Sequence, residues 1–465
     1  MRRARSTVVG ALVVMAGGCG GGSGSLTGAG GTGGVGTGGI VATGGIVGTG
    51  GIVATGGIVG TGGSGPSGPP SAFALLLPID ASSAQPLTPT LSWYPAQGAD
   101  SYTVEVATTS DFGSSDLVTQ TVDGSVNQLT LPSLVLSQGV IYYWRVTAYN
   151  GSDYTISSDA PRWFSSPYLV RAAHGLDVTP DGTRVVVASQ LNDGPVDVID
   201  LAAHSVSEIQ TGVHSNPMGV AVSPDGKHAL ATLLTNATDG VNGVAIIDLD
   251  QQAFVDFIED PCVGTTLTNV AYFPSGAAAM PDLGPDCASM GLSGFTPDPA
   301  SPSFSFTNLH DTNDPFDVAI DPTGSWALVT MELDHKLYRV DFGVSVGNMS
   351  LSAPSAGVAI AHDGASAVVA EATLDLVDAA TGAMTPFPLY QDTPGADFHN
   401  VAITPDDQVA AVVGTASIQF VSLPDGKVLA AYPIGAGNSI AISPDGNTAF
   451  VSDRANGYVR VVPVP

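Results

Sequence analysis

At 465 residues and 44% hydrophobic, the chain is long enough for two or three domains and apolar enough to bury a real core. Acidic residues outnumber basic ones 42 to 13, for a formal charge of -29. A surface that negative repels phosphate backbones and anionic lipid, which excludes nucleic acid as a partner and leaves membrane contact to an anchor; it suits solubility outside the cell, or divalent cations.

The first 19 residues read as a targeting signal. Arg2, Arg3 and Arg5 form a basic head and residues 7–16 an apolar stretch, too short to span a bilayer, which takes about 20 residues. The stretch ends in Ala16-Gly17-Gly18-Cys19, which resembles the lipobox of bacterial lipoproteins. The resemblance implies cleavage before Cys19, a lipid on its sulfur, and a place in the bacterial cell envelope, anchored to the outer membrane and facing the periplasm or the surface. The membrane is then a partner only through that lipid.

Residues 20–71 read as a tether. The core repeats every six residues, as in Thr37-Gly38-Gly39-Ile40-Val41-Ala42 and Thr43-Gly44-Gly45-Ile46-Val47-Gly48. Glycine loses the most backbone entropy on ordering, and isolated Ile-Val pairs bury too little area to offset it. A flexible linker of that length reaches roughly 40 Å.

Over residues 72–166 the pattern changes to short alternating strands separated by turn residues, the pattern of a β-sandwich. Leu91-Ser92-Trp93, Tyr102 to Ala107 and Val140 to Ala148 carry it. These segments resemble the fibronectin type III family, with Trp93 as its buried tryptophan, Leu136 and Tyr142 as its tyrosine corner, and Arg145, Val146 and Ala148 in the following strand. The resemblance implies a spacer or adhesive module.

From 167 to 465 a phrase returns seven times, about 40 residues apart: an apolar run, Pro-Asp-Gly or a close variant, and a second apolar run. It is clearest at Pro180-Asp181-Gly182, Pro224-Asp225-Gly226 and Pro444-Asp445-Gly446, and looser at Pro274, Pro322, His362 and Pro405. Asp-Gly supplies the positive φ of a tight turn and proline presets its entry, so the aspartate is turn chemistry rather than a ligand. A third strand often ends in Asp, as at Asp200 and Asp248, and a fourth follows. Four strands per unit and seven units predict a seven-bladed β-propeller in an all-β chain. The last unit is one strand short, and residues 168–172 have no unit of their own; placing them as its outer strand closes the ring and removes an exposed edge. The repeats resemble those of YVTN-family β-propellers, whose members range from surface-layer proteins to lactone-cleaving enzymes.

Cys262 and Cys287 flank the third copy, on loops that a propeller puts on one face, so a disulfide is expected between them in an oxidising compartment. The same face gathers His174, His214, His310 and His399 in the entry loops, with Glu332 and Glu371 at the ends of second strands. These residues are the candidate channel-rim ligand site, and a divalent metal ion is the cofactor such a rim would accommodate. None shows the close spacing of a metal-binding motif. Nucleophile-elbow, zinc-protease, phosphate-loop and haem-attachment motifs are all missing from the sequence, so no catalytic residue is named.

The expected function is therefore a tethered, monomeric binding or scaffold protein that uses the propeller face and the sandwich to hold an extracellular or periplasmic protein or glycan. The alternatives are a lactonase-like hydrolase and a metal-binding redox protein working from the His/Glu rim.

Overall fold

The computed structural model describes residues 68–211, 216–234, 242–260, 269–282, 291–298, 304–309, 315–331, 335–342, 345–351, 356–371, 373–387, 398–423 and 425–465, with the backbone alone at 260, 282, 304, 345, 398 and 399. The signal segment with Cys19, the tether, Cys262 and Cys287 lie outside the described residues. Every regular element among those described is a β-strand, and none is a helix long and apolar enough to cross a membrane.

The N-terminal domain has two antiparallel sheets. One joins Leu75–Leu77, Thr90–Trp93 and Gln128–Thr130; the other joins Val118–Asp123, Ser101–Ala107, Ile141–Asn150 and Asp153–Ile156, with Arg162–Ser165 also paired to Ile141–Asn150. Strict alternation drives the arrangement. Tyr102, Val104 and Val106 of one strand and Tyr142, Trp144 and Val146 of its neighbour are buried, and they meet Leu91 and Trp93 of the first sheet in one core. The Trp93 and Tyr102 rings lie 5.3 Å apart. The Tyr142 hydroxyl accepts the Ser137 N–H at 2.8 Å, beside buried Leu136. Facing residues Glu105 and Arg145 form an ion pair at 2.6 Å, and the guanidinium also covers the Phe112 ring.

The repeats form a β-propeller. Among the described residues, seven antiparallel four-stranded sheets follow one another, and each begins with an innermost strand that runs into the turn: Ala173–Val178, Asn216–Val222, Ala271–Tyr272, Pro315–Ile320, Val358–Ile360, Phe398–Ile403 and Gly437–Ile442. Each innermost strand touches the next, and the last touches the first, so the sheets form a closed ring. Closure comes as the missing-strand argument predicts: Tyr168 and Leu169 pair with Val459 and Tyr458 as the outer strand of the last sheet.

The turns show why the phrase repeats. Asp181 accepts the Thr179 hydroxyl at 2.6 Å and the Thr183 N–H at 3.0 Å; Asp225 does the same with Ser223 and Lys227, and Asp445 with Ser443 and Asn447. These bonds, the side-chain hydroxyl first, hold the three carboxyls below the usual carboxylate range. The expectation of turn chemistry holds. Gly182, with φ of 68°, takes the left-handed conformation that a side chain would strain.

The two-sheet domain and the propeller belong to one compact unit. Trp163, on the last strand of the two-sheet domain, packs edge-on to Tyr432 at 5.2 Å, within a core shared with the sixth and seventh propeller sheets. The Ser165 hydroxyl donates to the Val461 carbonyl at 2.7 Å. Arg460, beside it on the seventh sheet, grips the fully buried Asp453 and reaches Ser83 of the two-sheet domain at 3.2 Å.

Candidate functional site

All seven innermost strands contribute to a central cavity of about 430 Å³. Its wall follows from repeat register, counted back from the turn proline or the residue in its place. Five residues back stand Gly175, Gly219, Asn269, Asp317, Gly357, Asn400 and Ser439. At two of the glycines the neighbouring backbone closes in: a Cβ on Gly175 would lie 2.3 Å from the Met218 carbonyl oxygen, and one on Gly357 would lie 2.6 Å from the Asn400 Cα. At Asn269, Asp317 and Asn400 the side chain bridges to the next strand. Asn400 Oδ1 accepts the Ile440 N–H at 3.3 Å. Asp317 accepts the Val318 N–H at 2.8 Å, the Val358 N–H at 3.0 Å and the Asn269 side-chain amide.

A second layer of polar bonds lies behind the wall. Buried hydroxyls of Thr232, Thr330 and Ser452 on the second strands accept the N–H of Gly219, Asp317 and Ser439. Thr330 and Ser452 then donate onward, to the carbonyls of Ala356 and of His174 in the next sheet. These pairings satisfy backbone groups that the tight ring would otherwise bury unpaired.

Three residues back from the turn, six sheets carry alanine and the first carries Asp177. Its carboxylate accepts the Val178 N–H and, from the next sheet, the Val222 N–H, both at 2.8 Å. Burial pushes the carboxyls of Asp177 and Asp317 up to about 6, against the opposing effect of these hydrogen bonds. Among the described residues no lysine or arginine lines the cavity.

Of the proposed rim, His174 lies on the cavity wall, with Nδ1 3.1 Å from the Met218 carbonyl oxygen. Glu371 follows the second strand of the fifth sheet; it is buried and is not among the lining residues. His399 sits in the innermost strand of the sixth sheet, its side chain outside the described set, and His214, His310 and Glu332 lie wholly outside the described residues. No group of three or more metal-ligating side chains gathers among the described residues. Sequence reasoning passed over Asp177, Asp317, Asn269 and Asn400. Superposing the seven copies by their turns would have found Asp177, as the only charge in a column of alanines.

No protein-family model matches the chain, and no curated protein sequence does. Similar solved structures include hydrazine synthase of Kuenenia stuttgartiensis, at 15% identity and a TM-score of 0.55, with 64% of this chain and 97% of that one covered. The Cps50 (Swd1) β-propeller domain of Myceliophteria thermophila is similar at 11% identity and a TM-score of 0.52, with 64% and 99% covered. At such identities the likeness extends to the fold alone: a β-propeller.

Proposed function

We propose that this chain is a lipid-tethered protein of the bacterial envelope, in which a fibronectin type III-like sandwich and a seven-bladed, YVTN-like propeller together present a binding surface to another protein or a glycan. One observation carries the reading: the two-sheet domain is locked onto the propeller through Trp163, Ser165 and Arg460. A rigid two-part body on a long glycine-rich tether suits display. The Tyr142–Ser137 bond, placed as in a tyrosine corner, and the Trp93 core support the fibronectin-like assignment. The propeller supports interaction in general, because a ring of sheets offers broad faces ringed by loops. The partner follows from neither, since fold alone does not define function.

The reading is tested by photo-crosslinking in cells from two faces of the propeller, with the reactive residue at Asn438 on the cavity wall or at Asp445 in a turn. Display for binding predicts one reproducible product from one face and not from the other. Absence of any product from both faces, with the protein folded and abundant, contradicts it.

A further inference from the structure

We propose that the central cavity is a binding site for a linear aliphatic diamine or polyamine, held at its two ends by Asp177 and Asp317. The proposal stands apart from the display reading, and either can fail alone.

The cavity has the size of a small-molecule site, which spans about 300–1,000 Å³, at about 430 Å³. Two carboxylates line it and, among the described residues, no lysine or arginine does. Asp177 lies in the first sheet and Asp317 in the fourth of a closed ring of seven, so they occupy opposite walls. They also differ in level. Asp317 is five residues from its turn and Asp177 three, and two residues of strand displace them by about 7 Å along the channel. On the level of Asp177 the wall is methyl-lined, by Ala221 and Ala271. Two carboxylates set apart both across and along the channel, with small apolar side chains beside one of them, complement an extended diamine.

Both carboxylates retain acceptor capacity. Among the described residues each oxygen of Asp177 accepts one backbone N–H, and Oδ2 of Asp317 accepts that of Val358 alone, whereas a carboxylate oxygen has two lone pairs. Burial raises both carboxyls, and an ammonium placed against them offsets that desolvation. A divalent metal fits less well, because a hard cation gathers six or more oxygens around one point, whereas these two carboxylates face each other across a channel. Nothing in the wall bonds requires a charge at Asp177, since alanine serves at that position in the other six sheets.

The test is calorimetric titration of the full chain, made soluble by Cys19→Ala, with 1,4-diaminobutane, 1,5-diaminopentane and spermidine, and with butylamine and calcium chloride for comparison. Salt is held at about 0.15 M to screen diffuse attraction to the acidic surface. The expected result is saturable one-to-one binding of at least one of the two diamines and spermidine, with butylamine at least ten-fold weaker. Asp177→Ala is expected to weaken the diamine at least ten-fold, and Asp317→Asn likewise. If Asp317→Asn fails to fold, Asp177→Ala decides alone, because it installs the residue the other sheets already carry. Absence of saturable binding by all three, undiminished binding by Asp177→Ala, or calcium displacing the diamine one-for-one would overturn the proposal.

Discussion

His362 and Asp407 stand, in neighbouring sheets, where the other turns have proline and glycine, and they bond to each other across the seam. The His362 N–H donates to Asp407 Oδ1 at 2.7 Å, the imidazole Nδ1 lies 3.0 Å from the same oxygen, and the Asp363 N–H donates to Oδ2 at 3.0 Å. At other seams the turn glycine faces the proline of the preceding sheet: a Cβ on Gly182, Gly226 or Gly446 would lie 3.4 to 3.5 Å from the Cδ of Pro444, Pro180 or Pro405. The two departures from the repeat thus fall at one seam and replace an apolar contact with a polar one. His362→Pro alone removes a bonded N–H and is expected to cost about 1–2 kcal/mol. In an Asp407→Gly background, which restores the usual partner and relieves a φ of 58°, the same change should cost close to nothing. A double-mutant cycle by urea denaturation measures this coupling, and strictly additive effects would show that the seam is not a unit.

The Arg460–Asp453 pair links two strands of the last sheet and reaches the two-sheet domain. Its side chains are 9% and 0% exposed, so Arg460→Met leaves a buried carboxylate without its cation. Loss of one partner of a buried pair costs about 3–5 kcal/mol. Thermal melts followed by circular dichroism should show a large loss of stability, and an Asp453→Leu second change should recover part of it.

Ser452 ties the seventh sheet to the first by accepting the Ser439 N–H and donating to the His174 carbonyl. Ser452→Ala strands both buried backbone groups, at about 1–3 kcal/mol. Hydrogen exchange at the Ser439 amide should accelerate far more than in the centre of the third sheet. Equal protection in variant and parent would contradict the bridging role.

Stability should peak in mildly acidic solution. Burial raises Asp177, Asp197 and Asp317 from 3.8 to about 6. The folded state therefore binds protons more tightly than the unfolded chain, and the stability due to these groups is full below about 4 and lost as pH rises through about 6. The turn aspartates act in the opposite sense. Asp181, Asp225, Asp406 and Asp445 are held low, chiefly by a neighbouring hydroxyl, so their contribution is present above about 4 and lost as pH falls through their folded values. Asp407 joins them: burial raises it, and the bonds from His362 and Asp363 more than offset that. Scanning calorimetry should place the highest melting temperature between pH 4 and 6. Asp197→Asn, which keeps an acceptor for the Ser189 hydroxyl, should flatten the decline toward neutral pH. A melting temperature that climbs steadily to pH 8 would contradict the assignment.

How much of this was legible depends on how local each relationship is. The turns were, because Thr179, Asp181 and Gly182 act within four residues. The closing strand was, because a repeat one strand short points to Tyr168 and Leu169. The Trp163 and Arg460 joint was not, since Arg460 meets Ser83 across 377 positions of sequence and no periodicity marks either. The His362–Asp407 pair looked like two unrelated lapses in the phrase until the seam brought them together. The cavity carboxylates escaped for a similar reason. The rim was sought among histidines, and of those only His174 falls on the described wall, whereas Asp177 and Asp317 looked like ordinary strand residues until the ring turned them inward.

The central claim is a rigid display body on a lipid tether, and the most direct measurement is fractionation of the cell envelope with intact mass analysis of the mature N-terminus. The account predicts that the protein sediments with membranes, begins at a diacylglycerol-modified Cys19, and becomes soluble in Cys19→Ala. A wild-type protein that is soluble, or that stays with membranes after Cys19→Ala, would contradict it.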